Sequence, residues 1–163
     1  MKFFSKTNIV TAYCWQGQHL KGVEMGSNIM LNHIIQNYKN SINTICKIKE
    51  HDFNSNKGYN IIYNNVLKNL KNHDELSILF GGDHSISAAS VASSKESNKI
   101  DKILWFDAHA DINTYKSSNT GNKHGMPIAS AMHLIKPWVE SKKIDYEDII
   151  YIGLRDIDPF EKY

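Results

Sequence analysis

Long apolar runs are missing from this sequence: none exceeds five residues, whereas a membrane-spanning helix needs about 20 consecutive apolar residues. The N-terminus also has no apolar core of the signal-peptide kind. Basic runs are missing too. Lys and Arg number 19 against 17 Asp and Glu, the net charge is +2, and the lysines are spread along the chain. With no nucleic-acid module visible, charge does not point to a nucleic acid. Cysteine is scarce: Cys14 and Cys46 are too few for a disulfide framework or a thiolate zinc site, and are expected as buried free thiols in strands. Repeats, low-complexity linkers and domain boundaries are absent as well. A chain of 163 residues with 41% apolar and 22% charged residues therefore reads as one soluble globular domain, with the cytoplasm its expected location and neither membrane nor nucleic acid among its expected partners.

What the sequence does contain is an alternation of periods. Ile9 to Cys14, Ile42 to Ile48, Leu76 to Phe80, Ile100 to Phe106 and Ile149 to Gly153 are short β-branched or apolar runs, which predict strands. Between them lie segments of helical spacing. One starts near Ser27 as N-cap and carries Ile29, Leu31, Ile34, Ile35 and Tyr38. A second covers Tyr59 to Asn72 on Ile62, Val66 and Leu70. A third is capped by Ser85 and runs to about Lys95, and the last follows Pro127 on Ile128, Ala131, Met132 and Ile135. Strands apolar throughout, alternating with helices, predict an α/β layered fold around a parallel sheet, in which function gathers at the carboxyl ends of the strands.

Three polar motifs sit at such ends: residues 81–85 (GGDHS), 107–124 (DAHADINTYKSSNTGNKH) and 154–159 (LRDIDP). The Gly81-Gly82 pair is expected to make a tight turn with backbone conformations closed to other residues. If the strand before Asp107 continues extended, Asp107, His109 and Asp111 point to one side. Two carboxylates and an imidazole converging there repel one another and are costly to desolvate unless a cation compensates them. His84, at the same sheet edge, adds a fourth ligand. Oxygen and nitrogen donors without sulfur suit manganese, with zinc, iron or cobalt also compatible. His124 is either a surface-loop histidine or a proton carrier at the mouth of the site. Asn113, Thr120 and Asn122 can hydrogen-bond a polar substrate and Asp158 can bind a cation, but each also suits a solvated turn.

Together GGDHS, DAHADIN (107–113), GNKHGMP (121–127) and IGLRDIDP (152–159), with GVEMG (22–26) upstream, resemble the ureohydrolase family, and its arginase branch most closely, from about residue 9 to Tyr163. The resemblance implies a three-layer α/β/α fold with a parallel sheet and a binuclear manganese (Mn2+) site that hydrolyses L-arginine to L-ornithine and urea. It implies His84 and Asp111 on one manganese, His109 on the other, Asp107 bridging, and a metal-bridging hydroxide that attacks the guanidinium carbon, held also by Asp111. His124 matches the family's acid–base histidine. Asn113 and Thr120 match positions that bind the α-carboxylate, with Gly121 and Asn122 beside them, and Asp158 matches the carboxylate that holds the α-amino group. Agmatine has no α-carboxylate, so the Asn113–Asn122 loop favours arginase chemistry over an agmatinase.

The family also carries a later DxDxxDP-type motif and a further Glu that complete the metal and guanidinium sites, and neither occurs among residues 1–163. The expectation is a single truncated arginase-like domain lacking C-terminal strands from the middle of the sheet. Three states are compatible with it: an enzyme completed by a homo-oligomer, one completed by a separate C-terminal half, and a catalytically inactive remnant that binds a partner.

Overall fold

The structure is a computed structural model and describes residues 6–71, 75–98 and 102–162. Its elements alternate as predicted: β1 (Lys6–Ala12), α1 (Met25–Tyr38), β2 (Ile42–Ile48), α2 (Lys57–Leu70), β3 (Glu75–Gly81), α3 (Ser87–Glu96), β4 (Ile103–Phe106), α4 (Pro127–Ala131) and β5 (Ile149–Ile152). Every strand pair is parallel. No helix among the described residues is long and apolar enough to cross a membrane.

Burial explains the layering. Val10 and Ala12 of β1 share a buried cluster with Tyr59, Ile62 and Val66 of α2 and Ala88 and Ala89 of α3. Ile9 and Thr11 alternate to the other face and are also fully buried, with α1 packed on β1 and β3. Both faces of β1 are thus covered, which is why its side chains do not alternate in polarity. A second cluster joins Trp105 of β4 and Ile149 of β5 to Val91 of α3 and Ile128, Ala131 and Met132 at α4. Each such fully buried aliphatic side chain stabilises the fold by about 1.5–3 kcal/mol.

The sheet is in two pieces. One has the order β2-β1-β3 and the other pairs β4 with β5. Among the described residues, β3 and β4 therefore each keep one edge without a ladder partner. The outward face of the second piece is uncovered as well: Leu104 (56% exposed) stands beside Ile150, and Phe106 (72% exposed) beside Ile152, four apolar side chains in register. Helices α2, α3 and α4 pack in series as one helical layer, and α1 packs on β1 and β3.

Several local expectations need correction. Helix α1 starts two residues before Ser27, with Glu24 at the N-cap; Ser27 is buried in the first turn and its hydroxyl donates to the Glu24 carbonyl at 2.8 Å. Ser85 does not cap α3. Asp83 does the capping, its carboxylate accepting the Ser85 N–H at 2.8 Å at the head of a 3-10 turn, His84–Ile86, that leads into the helix. Helix α4 is a short stub, and Ile135 lies beyond it. Both thiols are free, but Cys46, in β2, is only half-buried, and Cys14 lies past the end of β1, buried in a loop. Residues 100 and 101 of the predicted fourth strand, and residue 72 of the second predicted helix, lie outside the described residues.

Candidate metal centre and adjoining pocket

Two strand ends supply the cluster. β3 runs into Gly81 and Gly82, neither of which has a positive φ; their role is close approach rather than an unusual backbone. A Cβ on Gly82 would lie 2.0 Å from the Cys14 carbonyl oxygen and one on Gly81 would lie 1.9 Å from the Ile86 side chain. That packing brings His84 against β4, its ring edge-on to Trp105 with centroids 5.0 Å apart.

β4 ends at Phe106, and the next residues are not extended. Asp107 N–H donates to the Ile152 carbonyl (3.1 Å), the Ala108 carbonyl accepts from the N–H groups of Arg155 and Asp156 (2.9 Å each), and the Tyr151 hydroxyl donates to the Ala110 carbonyl at 2.8 Å. Asp111 then takes φ +55°, a left-handed conformation that Asp tolerates better than most residues. Its carbonyl oxygen accepts the N–H groups of Ile128 (3.1 Å) and Ala129 (3.3 Å) at the start of α4. The helix therefore holds the turn that aims the Asp111 side chain inward.

The result is a compact trio. His84 Nε2 lies 3.4 Å from Asp107 Oδ2 and 3.1 Å from Asp111 Oδ2, and one ligand atom of each residue falls within 4.8 Å of the others. Asp111 Oδ2 is buried and makes no hydrogen bond of good geometry. A buried carboxylate oxygen without a hydrogen-bond partner costs about 1–3 kcal/mol or more, and a divalent cation between the three side chains would satisfy it. The donor set, two carboxylates and an imidazole, fits such an ion. Burial works against charging His84, but Asp111 and Asp107 outweigh it and hold its pKa above the ordinary value. Burial likewise works against ionising Asp107, yet the His109 N–H at 2.9 Å and the charge of His84 hold its pKa below the usual carboxylate value.

His109 does not join the trio. Its Nδ1 faces Asp107 Oδ1 at 3.2 Å and its Nε2 faces Asp156 Oδ2 at 3.4 Å, so the ring lies between two carboxylates outside the cluster. The alternation expected of an extended strand fails here because the strand has ended and Asp111 reverses the backbone.

Asp111 and His109 both line a pocket of about 190 Å3. Asn113, Thr120, Asn122, His124 and Asp158 line it, so residues from two of the three polar motifs, 107–124 and 154–159, meet there. Gly121 does not line the pocket; it turns the loop with φ +68°. Asn113 donates through Nδ2 to Asp158 Oδ2 at 2.7 Å and accepts from the Ser117 hydroxyl at 2.8 Å, leaving one amide N–H for a ligand. Ser118 and Glu161 also line the pocket and were not singled out by the sequence. Glu161 accepts the N–H groups of Ile112 and Asp158, both at 3.1 Å, which fixes the Asp158 segment against the Asp111 loop. The Asp-Pro-Phe-Glu spacing at 158–161 is an N-terminal capping pattern and was the available signal for it. The pocket is smaller than the roughly 300–1,000 Å3 of drug-sized sites and suits a small polar molecule.

The sequence matches the Arginase family over residues 8–163. The chain belongs to the arginase family. Arginase-1 of Bos taurus is 38% identical over 97 residues, a stretch that covers 54% of this chain and 30% of the cattle protein. Arginase from Bacillus subtilis, solved at 1.7 Å, superposes with a TM-score of 0.79 at 28% identity, covering 96% of this chain and 60% of that one. Arginase from Bacillus cereus superposes with a TM-score of 0.80 at 25% identity, covering 96% and 59%. The chain thus has the arginase fold and spans about three fifths of the length of the solved arginases it matches. The motifs that carried the resemblance, at 81–85, 107–113, 121–127 and 152–159, are the segments that surround the trio and its pocket.

Proposed function

We propose that this chain supplies the cation-binding and amino-acid-reading part of an arginase-type hydrolase that converts L-arginine and water to L-ornithine and urea. The observation that carries the reading is the convergence of His84, Asp107 and Asp111, whose buried Oδ2 makes no hydrogen bond of good geometry, beside a pocket that Asp111 lines together with Asn113, His124 and Asp158. His84, Asp107 and Asp111 would hold one divalent ion, manganese in this reading, and His109 with Asp107 would contribute to a second. When bound, such ions act as Lewis acids that activate water for attack on a guanidinium carbon.

The chain's own residues do the rest. Asp158 holds a positively charged α-amino group, and Asn113, Thr120 and Asn122 direct N–H and O–H donors to an α-carboxylate, fixing the substrate by both ends of its amino-acid moiety. That geometry favours arginine over agmatine, which lacks the carboxylate. Asp111 accepts a hydrogen bond from the attacking water, and His124, at the pocket wall, delivers a proton to the departing amine. Manganese-dependent urea release from L-arginine by the purified chain, lost in Asp107→Ala and smaller with agmatine, supports the reading. No urea at saturating manganese overturns it for the chain on its own.

The free edges of β3 and β4 and the bare face of β4–β5 favour a second reading, in which activity requires another polypeptide to complete the sheet. A second copy of the chain and a separate C-terminal half are the candidates, and a chain that binds such a partner without catalysing anything is the limiting case. Urea release that rises more steeply than linearly with chain concentration would identify the homo-oligomer.

A further inference from the structure

We propose that Asp83 is the positioning residue that fixes His84 and His124 relative to each other, acting through Gly17. The proposal rests on the preceding reading only for what the two histidines do; the linkage itself stands on geometry.

Asp83 is buried at the end of β3, and its two oxygens serve different loops. Oδ1 accepts the Ser85 N–H at 2.8 Å and so caps the turn that carries His84. Oδ2 accepts the Gly17 N–H at 2.9 Å and the Cys14 thiol at 3.1 Å. Gly17 passes the connection on, because its carbonyl accepts the His124 N–H at 2.9 Å. The turn at His84–Ile86 and the turn at Lys123–Gly125 pack directly on each other.

Only glycine fits at position 17, since a Cβ there would lie 2.1 Å from Asp83 Oδ1 and 2.7 Å from the Ser85 side chain. The surroundings hold the carboxylate in place. Cys14 is a donor and not a nucleophile: burial and the facing Asp83 push its thiol up to about 12. Ser85 Oγ is tied to the Tyr59 hydroxyl at 2.9 Å, and the Lys123 ammonium stands 5.3 Å from the ring centroids of both Tyr59 and Trp138. One carboxylate thus bonds two segments directly and a third through Gly17, and the candidate cation ligand and the candidate proton carrier hang from opposite oxygens of it.

Asp83→Asn separates the two arms. Asn caps a helical turn about as well as Asp, so its carbonyl oxygen retains the Ser85 bond and with it His84. Its amide nitrogen then meets the Gly17 N–H and the Cys14 thiol, donor against donor, and the His124 arm is released. Amide hydrogen exchange of the full chain reads this without metal or substrate. Exchange at Gly17 and His124 is expected to speed up about tenfold or more, the size of one lost hydrogen bond to a charged group, while amides of α2 and the Ser85 amide stay at wild-type rates and the manganese dissociation constant is unchanged within about threefold. Unchanged exchange at Gly17 and His124 overturns the proposal, and so does a uniform rise across α2 and the Ser85 turn, which would make Asp83 a residue of general stability. If the wild-type chain retains no manganese, the functional reading fails while the exchange measurement still decides the linkage.

Discussion

Asp111 Oδ2 and His84 Nε2 lie 3.1 Å apart although they come from the ends of two strands that do not pair with each other. The contact exists because α4 holds Asp111 in a left-handed turn and the Gly81-Gly82 pair lets the His84 loop close against Cys14. His84 faces the buried Oδ2 as an ion-pair partner but forms no hydrogen bond of good geometry with it, a shortfall that a cation ligated by Oδ2 would relieve.

That shortfall predicts a crossover in stability. Asp111→Asn replaces a buried carboxylate oxygen that gains no well-formed hydrogen bond from its ion-pair partner His84, a defect worth about 1–3 kcal/mol, while His84 keeps Asp107 at 3.4 Å. In chelator the variant should unfold at or above the wild-type temperature. With manganese at about 100 times its dissociation constant the wild type gains about 2.7 kcal/mol and the order should reverse. Thermal unfolding in the two conditions checks it, and a variant less stable in both would count against a strained site.

The glycines make a second, paired prediction. Gly82→Ala places a methyl 2.0 Å from the Cys14 carbonyl oxygen and 2.6 Å from Glu24 Cα, both backbone atoms that cannot rotate away. It should cost at least the about 1–3 kcal/mol of ordinary overpacking and weaken cation binding through His84. Gly26→Ala, inside α1 with nothing within 4 Å of the added methyl, should be neutral or stabilising, because alanine is favoured in helices by about 1 kcal/mol. Chemical denaturation of both variants separates the two glycines.

Acid stability follows from two carboxylates far from the pocket. Lys57, 2.7 Å away, together with the Lys49 N–H, holds the Asp52 carboxyl below its ordinary value; the Asp145 N–H and Lys95 do the same for Asp148. A depressed carboxyl pKa stabilises the fold fully above the unfolded value near 3.8, and the contribution is lost as pH falls through the lower folded value. Lys57→Gln and Lys95→Gln should therefore lower stability near neutral pH by up to the about 1 kcal/mol of a surface pair and bring acid unfolding to a higher pH, with the difference from wild type vanishing below the lower folded values. Circular dichroism against pH measures the midpoints.

The bare face of β4–β5 gives a surface prediction. Leu104→Thr combined with Phe106→Thr introduces β-branched strand formers and should change the unfolding free energy by no more than the about 0.5 kcal/mol typical of exposed positions, while lowering light scattering at high concentration. A loss of several kcal/mol would show that this face is covered in solution.

Much of this architecture was legible in the sequence because it is local. The runs at Ile42–Ile48 and Ile149–Ile152 are strands at nearly the expected bounds, and the motifs after β3, β4 and β5 do meet at one end of the fold. What was not legible depends on contacts distant in sequence. Nothing in the spacing of Asp107, His109 and Asp111 reveals that Asp111 adopts φ +55°, which brings Asp111 together with Asp107 and leaves His109 facing Asp156. The cap at Asp83 was hidden by Ser85, an equally good capping residue two positions on, and only the loop at Gly17 decides between them. The division of the sheet between β3 and β4 concerns which strands pair, and uniformly apolar strands carry no register for that.

The central claim is that His84, Asp107 and Asp111 together hold a divalent cation, and calorimetric titration of the chelator-treated chain with manganese tests it most directly. The account predicts saturable binding by the wild type and, in Asp107→Ala, an affinity lowered by more than the about 10–100-fold that loss of a mere outer partner costs. Equal manganese affinity in the two proteins would contradict it.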